Sequence, residues 1–204
     1  MGGKTVASVF IKNARAIVTV DDQDRVLYNS NLLIEDGVIT YIGQEEKQAE
    51  RVIDASNCFV YPGLINTHHH LYQTFTRNLP QVQNMELFPW LVALYEIWRG
   101  LNPECIYYSS LTGMGELARY GCTTCMDHHY VFPQVGSEEF IDMQFDAAAA
   151  LGLRFHATRG SMSRRKSDRG LPPDDLLQPV DRLLQDCERL VKKYHDNRPL
   201  SMRQ

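Results

Sequence analysis

Short alternations of apolar and polar residues dominate the first 57 positions of this chain. Runs rich in β-branched residues predict strands at 8–12, 16–20, 32–35 and 38–42. Asp36-Gly37, between the last two runs, favours a tight hairpin turn. We therefore expect residues 1–57 to form a small β unit, too thin to bury a large core by itself.

After residue 57 the apolar spacing alternates between strand-like and helical periods. Extended patterns predict strands at 58–66, 122–127 and 153–158. Helical patterns predict helices at 85–100, 103–120, 140–151 and 180–194. Asn102 and Pro103 are typical of a helix start, and Gly121 is typical of a helix end. This alternation predicts parallel βα units and an α/β fold over 58–204.

The apolar run at 58–66 leads directly into Asn66-Thr67-His68-His69-His70. Because side chains alternate along an extended strand, His68 and His70 are expected on one side and His69 on the other. Two neutral imidazoles on one side can share a zinc ion or a similar metal. A surface histidine cluster is the alternative, since a His-x-His spacing often arises by chance.

Further polar residues stand where the predicted strands end. Asp127 and His128 end the second strand, and Arg159 ends the third. In parallel barrels the active site collects at this edge of the sheet. Asp127 and His128 are expected either to orient a metal-bound histidine or to make a hydrogen bond in the core. Arg159 is expected either to bind a ring carbonyl of a substrate or to pair with a carboxylate.

Several other reactive side chains are better explained by packing or exposure. His129 and His156 are interpreted as packing residues, and His195 as a solvated residue at a helix end. Trp90 is interpreted as a helix-packing side chain, with a role in covering the substrate as the alternative. The C-x-x-C spacing of Cys122 and Cys125 lies within a predicted strand, which favours core packing over redox chemistry.

Composition narrows the class of protein. The 204 residues are 44% hydrophobic and 23% charged, as in ordinary globular proteins. The net charge of -4 offers no basic surface for nucleic acid, and no run approaches the roughly 18 apolar residues of a membrane span. The N terminus lacks the apolar core of a secretion signal, and the five scattered cysteines favour reduced thiols. We expect a cytoplasmic protein without nucleic-acid or membrane partners.

Several segments together resemble the amidohydrolase superfamily. Residues 61–70, Tyr-Pro-Gly-Leu-Ile-Asn-Thr-His-His-His, resemble its Pro-Gly-x-(Ile/Val)-(Asn/Asp)-x-His-x-His motif. Residues 121–124, Gly-Cys-Thr-Thr, resemble its Gly-x-Thr-Thr at the second barrel strand, and the β unit resembles its N-terminal part. The resemblance implies part of a composite β-sandwich at 1–57 and a (β/α)8 barrel from 58 onward. Since a whole barrel takes about 250 residues, 58–204 is expected to hold its first three to four βα units, as the N-terminal part of a larger enzyme.

Within the superfamily, the run from His68 to Gln73 resembles the His-x-His-x-x-Gln of aromatic-heterocycle deaminases, and segments 76–80, 84–91 and 154–160 are most like those of 8-oxoguanine deaminases. The resemblance implies one zinc ion per full-length subunit, with His68 and His70 as two ligands and Gln73 as a substrate-binding residue. It places two further His, one Asp and a catalytic Glu on later strands, so no catalytic residue is expected within 1–204. It also implies a homo-oligomer for the full-length enzyme.

The expected reaction is zinc-dependent hydrolytic deamination of an aminated, purine-like ring. 8-Oxoguanine, giving urate and ammonia, is the first choice of substrate, and isoxanthopterin, guanine and hydroxytriazines are alternatives. A cyclic-amide or lactone hydrolase on the same fold is an alternative enzyme. An inactive fragment is a third alternative, because two histidines rarely hold zinc tightly without further ligands.

Overall fold

A computed structural model describes residues 7–198 and 201–204. The chain forms two compact units, divided between Pro62 and Gly63. Among the described residues, no helix is long and apolar enough to cross a membrane.

The first unit is a β-sheet. Its strands are β1 (Ser8–Val18), β2 (Val26–Glu35), β3 (Val38–Gly43), β4 (Arg51–Asp54) and β5 (Phe59–Val60). β1, β2 and β3 pair in antiparallel fashion, whereas β4 and β5 run parallel to β1. Asp36 and Gly37 both have positive φ angles and form the predicted turn between β2 and β3. The sheet buries a small apolar cluster that includes Ala14, Ile17, Leu32 and Ala55.

β1 is a single strand where the alternation pattern predicts two. Asn13 has a φ of 60°, and the pairing with β2 shifts register between Ile11 and Ala14. The Asn13 N–H donates a hydrogen bond to Asn31 Oδ1 at 2.8 Å. This bulge breaks the two-residue period without ending the strand, so the prediction of two separate strands is wrong.

The second unit is built from βα units. Its strands β6 (Leu64–Asn66), β7 (Cys122–His129) and β8 (Arg154–Arg159) are parallel and adjacent in that order. Its helices are α1 (Leu87–Trp98), α2 (Pro103–Arg119), α3 (Phe140–Leu151) and α4 (Val180–Tyr194), with 3-10 turns at Leu71–Thr76, Pro80–Val82, Lys166–Asp168 and Asp174–Leu176. Residues 202–204 extend the sheet beside β8, since Phe155 N–H donates to Met202 O at 3.0 Å. This is the arrangement of the first units of a (β/α)8 barrel, as predicted.

The predicted strand at 58–66 is two elements, and each belongs to a different unit. β5 pairs with β1, whereas β6 pairs with β7. Gly63 stands between them, and a Cβ atom on it would lie 2.8 Å from the Thr123 Cβ. Only glycine therefore allows β6 to start this close to β7. The boundary between the two units therefore lies between residues 62 and 63. The predicted boundary, between residues 57 and 58, is five residues earlier.

The helices of the second unit bury their apolar sides in one core. Asn102 Oδ1 accepts the Cys105 N–H at 2.9 Å, which confirms the predicted start of α2.

Cys122 and Cys125 are buried free thiols, and burial raises the pKa of Cys125 to about 12. These observations confirm core packing for the C-x-x-C pair.

α2 packs closely against the 3-10 turn at Leu71–Thr76. The contact depends on Gly113, because a Cβ there would lie 2.8 Å from Leu71 Cδ2 and 3.1 Å from Thr74 Oγ1. Two residues along the same helix, Gly115 faces open space. The turn that follows the histidine run is thus held by a helix surface that has no room for a side chain.

α3 and α4 are joined through the carboxylate of Asp142. It accepts hydrogen bonds from Arg189 at 2.8 Å, from Lys193 at 2.7 Å and from the Tyr194 hydroxyl at 2.7 Å. Burial alone would raise the pKa of Asp142, but these donors lower it to about 2. The Phe145 and Tyr194 rings stack beside it with centroids 3.9 Å apart.

The two glycines of α2 provide a matched test of this packing. Gly113→Ala should lower the free energy of unfolding by about 1–3 kcal/mol, because the added methyl group overpacks the contact with Leu71. Gly115→Ala should instead raise it by up to about 1 kcal/mol, through helix propensity alone. Urea unfolding of both variants measures the difference. Equal shifts for the two would contradict the packing described here.

The acid dependence of stability tests the Asp142 contact. Its folded pKa of about 2 lies below the ordinary value of 3.8, so its contribution is fully present above about pH 4 and is lost as the pH falls toward 2. Asp142→Asn should remove roughly 2 kcal/mol of stability at pH 7 and flatten this part of the profile. Asp146→Asn, on the exposed face of α3, is the control. The profile is measured by denaturant unfolding at each pH, and an unchanged profile in Asp142→Asn refutes the assignment.

Candidate metal centre

The side chains of His68 and His70 meet directly. Their Nε2 atoms are 3.2 Å apart, and their rings are nearly perpendicular. Both residues follow the end of β6, where Asn66 Oδ1 accepts the His68 N–H at 3.3 Å and turns the chain. Strand alternation thus predicted the right pairing, but a turn after the strand produces it. His69 lies elsewhere, with its Cε1 3.6 Å from the Cβ position of Gly113.

A main-chain hydrogen bond fixes the orientation of His70. Its Nδ1 lies 2.7 Å from the carbonyl oxygen of His128, so Nδ1 carries the proton and donates it there. Burial, together with the neighbouring His68 and His128 rings, lowers the pKa of His70, which keeps the ring neutral at pH 7. The Nε2 lone pair is therefore directed toward His68 and is available to a metal.

The spacing of the two nitrogens fits a shared zinc ion. Two imidazole nitrogens about 2.0–2.1 Å from one tetrahedral zinc lie about 3.3–3.4 Å apart. The observed separation of 3.2 Å is close to this value. Within residues 7–198 and 201–204, no group of three or more His, Cys, Asp or Glu side chains is arranged to hold a metal. The described residues thus place two candidate ligands together, which is fewer than a zinc site needs.

The end of β7 holds the histidine segment through three hydrogen bonds, which we call the β7 clamp. The His128 N–H donates to His69 O at 2.8 Å, and His70 Nδ1 donates to His128 O. The third bond runs from the Leu71 N–H to Asp127 Oδ1 at 2.6 Å. The clamp continues the parallel pairing of β6 and β7 beyond the last residue of β6.

Asp127 is fully buried, and its second oxygen connects the clamp to α3. Asp127 Oδ2 accepts Gln144 Nε2 at 2.6 Å. Burial raises the pKa of Asp127 to about 7, although the bonds from Leu71 and Gln144 oppose the rise. Of the two predicted roles, the core hydrogen bond is therefore what the structure shows for Asp127. His128 orients His70 through its main-chain carbonyl, a contact that side-chain reasoning does not reveal.

Gln73 lies in the 3-10 turn that follows the histidines, within reach of two phenols. Its Nε2 is 3.3 Å from Tyr72 Oη and 3.5 Å from Tyr130 Oη. Tyr72 is buried, whereas Gln73 and Tyr130 are half-buried. Tyr130 and Gln144 were not identified from the sequence. The available signal for Tyr130 was an aromatic residue three positions after the predicted end of the strand at residue 127.

The Arg159 guanidinium makes several contacts with neighbouring residues. Its Nε donates to Asp186 at 3.0 Å, its Nη1 donates to Gly160 O at 2.7 Å, and its Nη2 donates to Gln178. The guanidinium also covers the Phe132 ring at 3.8 Å. Of the two predicted roles, pairing with a carboxylate is the one observed. The side chain is buried and each of its nitrogens has a partner; substrate binding by Arg159 stays a prediction.

Two further residues are packing residues, as the sequence predicts. His129 is fully buried, donates Nε2–H to Val131 O at 2.9 Å, and has its pKa lowered to about 3 by burial. Trp90 packs edge-to-face on Trp98, with centroids 5.7 Å apart. Neither side chain is placed to bind a metal.

Comparison with known proteins agrees with this geometry. Residues 59–200 match the model of the amidohydrolase family. The chain is 42% identical to the 8-oxoguanine deaminase of Pseudomonas aeruginosa over 194 residues, which cover 93% of this chain and 42% of that protein. It is 38% identical to the hydroxydechloroatrazine ethylaminohydrolase of a Pseudomonas species, over 91% of this chain and 41% of the relative.

A solved structure shows the same fold. The atrazine chlorohydrolase of Arthrobacter aurescens complexed with zinc superposes with a TM-score of 0.90 at 33% identity, over 95% of this chain and 45% of that one. The chain therefore spans less than half the length of each of these relatives. The family match over most of the second unit, the relatives and the paired histidines lead to one conclusion: the chain belongs to the amidohydrolase family.

Proposed function

We propose that His68 and His70 are two ligands of a single zinc ion in an enzyme that hydrolytically deaminates a purine-like ring. The observation that carries the proposal is the 3.2 Å separation of two Nε2 atoms, one of which has its lone pair fixed by the bond to His128. When bound, zinc lowers the pKa of water enough to supply a nucleophile at neutral pH. Residues 1–204 contribute the two ligands and their support.

The β7 clamp orients the histidine segment so that the two proposed ligands meet. The His128 carbonyl selects the His70 tautomer that leaves Nε2 unprotonated. Asp127 fixes the main chain one residue later, at Leu71. A ligand pair that is already oriented loses less conformational entropy when it binds a metal.

The proposed substrate is 8-oxoguanine, which would yield urate and ammonia. Its support is the similarity to an 8-oxoguanine deaminase and the position of Gln73 close to the histidine pair in sequence and fold. A carboxamide offers both a donor and an acceptor to a ring edge. A hydroxytriazine is the second candidate, favoured by the similarity to the ethylaminohydrolase. A cytoplasmic location and a homo-oligomeric state stay predictions.

The ring is identified by assaying amine release from 8-oxoguanine, guanine, isoxanthopterin and hydroxyatrazine with the full-length gene product. We expect the highest kcat/KM with 8-oxoguanine. His70→Asn should lose its zinc and at least about 1,000-fold of this activity, because the site loses a ligand. His195→Asn, at the exposed end of α4, is the matched control and should keep both.

Zinc content, measured by atomic emission, separates metal loss from other defects in these variants. Inactivity of the full-length protein on all four rings would refute the deaminase proposal. Full zinc occupancy in His70→Asn would refute the assignment of the ligand.

The support from Asp127 is tested by removing its two acceptor oxygens or only one of them. Asp127→Leu should weaken zinc binding by about 10- to 100-fold, because the Leu71 N–H and Gln144 Nε2 both lose their acceptor. Asp127→Asn should keep most of the affinity, because its oxygen can accept the Leu71 N–H while Gln144 turns its unpaired Oε1 toward the new amide nitrogen. Competition with a chromogenic chelator measures the dissociation constants. Zinc binding in Asp127→Leu equal to that of the unaltered protein would show that the clamp does not position the ligands.

A further inference from the structure

The direction of the His128 carbonyl depends on the main chain on either side of it. His128 O accepts the bond from His70 Nδ1, so it points toward the histidine segment. The carbonyls of the two flanking residues, Asp127 and His129, accept hydrogen bonds from β8 and from the residue that follows β8. Since successive carbonyls of an extended strand point in opposite directions, bonds that hold these two carbonyls toward β8 direct His128 O away from β8.

Thr158 on β8 holds the first of the two flanking carbonyls. It is paired with His128 in the parallel register of β7 and β8, so the two side chains stand on the same face of the sheet. The Thr158 hydroxyl donates to Asp127 O at 2.9 Å. A valine of nearly the same shape would have no donor for this bond.

Gly160, directly after β8, holds the second flanking carbonyl and has no room for a side chain. Its N–H donates to His129 O at 2.7 Å. A Cβ atom on Gly160 would lie 2.7 Å from Tyr130 Cβ and 2.9 Å from His128 Nε2 and from His129 O. These distances are shorter than van der Waals contact, so a side chain here would displace the end of β7.

Gly160 is itself held in place by Arg159. The Gly160 carbonyl accepts Arg159 Nη1 at 2.7 Å, and Arg159 Nε donates to Asp186 on α4 at 3.0 Å. The end of β8 is therefore attached to α4, which limits how far it can move away from β7 to make space for a side chain.

We propose that Thr158 and Gly160 are positioning residues for the metal site, which act on His70 through the main chain of His128. The proposal rests on the proposed function and extends the support of the ligands from β7 to β8. If a bond from β8 is lost, or if the end of β7 is displaced, the His128 carbonyl turns and no longer fixes the tautomer and ring direction of His70. Neither residue is proposed as a ligand, so the expected effect is on the affinity for the ion and on its coordination geometry.

The first test compares the zinc dissociation constants of full-length variants at position 158, measured by competition with a chromogenic chelator. Thr158→Val should raise the constant about 3- to 10-fold, because the bond to Asp127 O is lost, whereas Thr158→Ser keeps the hydroxyl and should stay within about twofold of the unaltered protein. Thr112→Val is the matched control, since it removes a similar bond to Tyr108 O, 2.8 Å long, on the exposed side of α2. Equal constants for Thr158→Val and Thr158→Ser overturn the role of Thr158.

The second test applies the same measurement to position 160. Gly160→Ala should raise the zinc dissociation constant at least about 10-fold, because the added methyl group displaces the end of β7. Gly115→Ala, which places its methyl group in open space on α2, is the matched control and should bind zinc normally. A Gly160→Ala constant within about twofold of the unaltered protein overturns the role of Gly160. If Gly160→Ala does not fold, the comparison of Thr158→Val with Thr158→Ser decides the proposal alone.

Cobalt(II) in place of zinc gives a readout that a general loss of stability would not change. In the cobalt-loaded, full-length protein, Thr158→Val and Gly160→Ala should shift the visible absorption bands of the metal, because the direction of the His70 ring changes. Thr112→Val and Gly115→Ala should reproduce the unaltered spectrum, and an unaltered spectrum in Thr158→Val and Gly160→Ala overturns the proposal. If the unaltered protein binds neither zinc nor cobalt, the proposed function itself fails. If it binds zinc and these two variants bind it equally well, only the positioning proposal fails.

Discussion

The β7 clamp is the interaction on which the candidate site depends. β6 pairs with β7 only as far as Asn66, so the histidines that follow have no strand pairing of their own. Three hydrogen bonds replace it: the His128 N–H donates one, and His128 O and Asp127 Oδ1 each accept one. They bring the histidine segment to the C-terminal end of β7, which is where barrel enzymes of this type place their chemistry.

Burial makes the clamp strong and makes its parts interdependent. Asp127 is fully buried, so each of its oxygens needs a partner, and the Leu71 N–H and Gln144 supply them. Loss of either partner would leave a buried acceptor unpaired, at a cost of about 1–3 kcal/mol. The contact between α2 and the 3-10 turn, made possible by Gly113, supports the same segment from the opposite side. The proposed metal ligands are therefore supported by packed secondary structure.

The division of roles along β7 follows from strand alternation. Cys125, Asp127 and His129 are buried, whereas His128 between them is exposed near His70. The buried residues attach the strand to the core, and the exposed side presents groups to the site. Tyr130, the next residue, continues the exposed side as a half-buried phenol. One strand end thus holds the proposed zinc ligands and anchors them to α3.

Much of the fold and the pairing of His68 with His70 could be predicted from the sequence. Three predictions depended only on local features of the sequence. The apolar period predicted the helix at 180–194, the cap residue predicted the start of α2 at Asn102, and the spacing predicted the pairing of His68 with His70. The prediction of a zinc ion and of a ring substrate came from the family resemblance and not from the histidine spacing. The split of the predicted strand at 58–66 was missed, because the partners of β5 and β6 lie far away in the sequence.

The roles of individual polar residues were decided only by the tertiary structure. The sequence left the carboxylate partner of Arg159 unnamed, and the fold brings Asp186 to it. The sequence does not single out the main-chain carbonyl of His128, because every residue has a carbonyl. It does not single out the amide of Gln144 either, because a helix has many positions from which a side chain can reach a neighbouring element. The sequence by itself determined which residues can bind a metal. The tertiary structure decided which of them meet, because hydrogen bonds between residues 56 or more positions apart set that geometry.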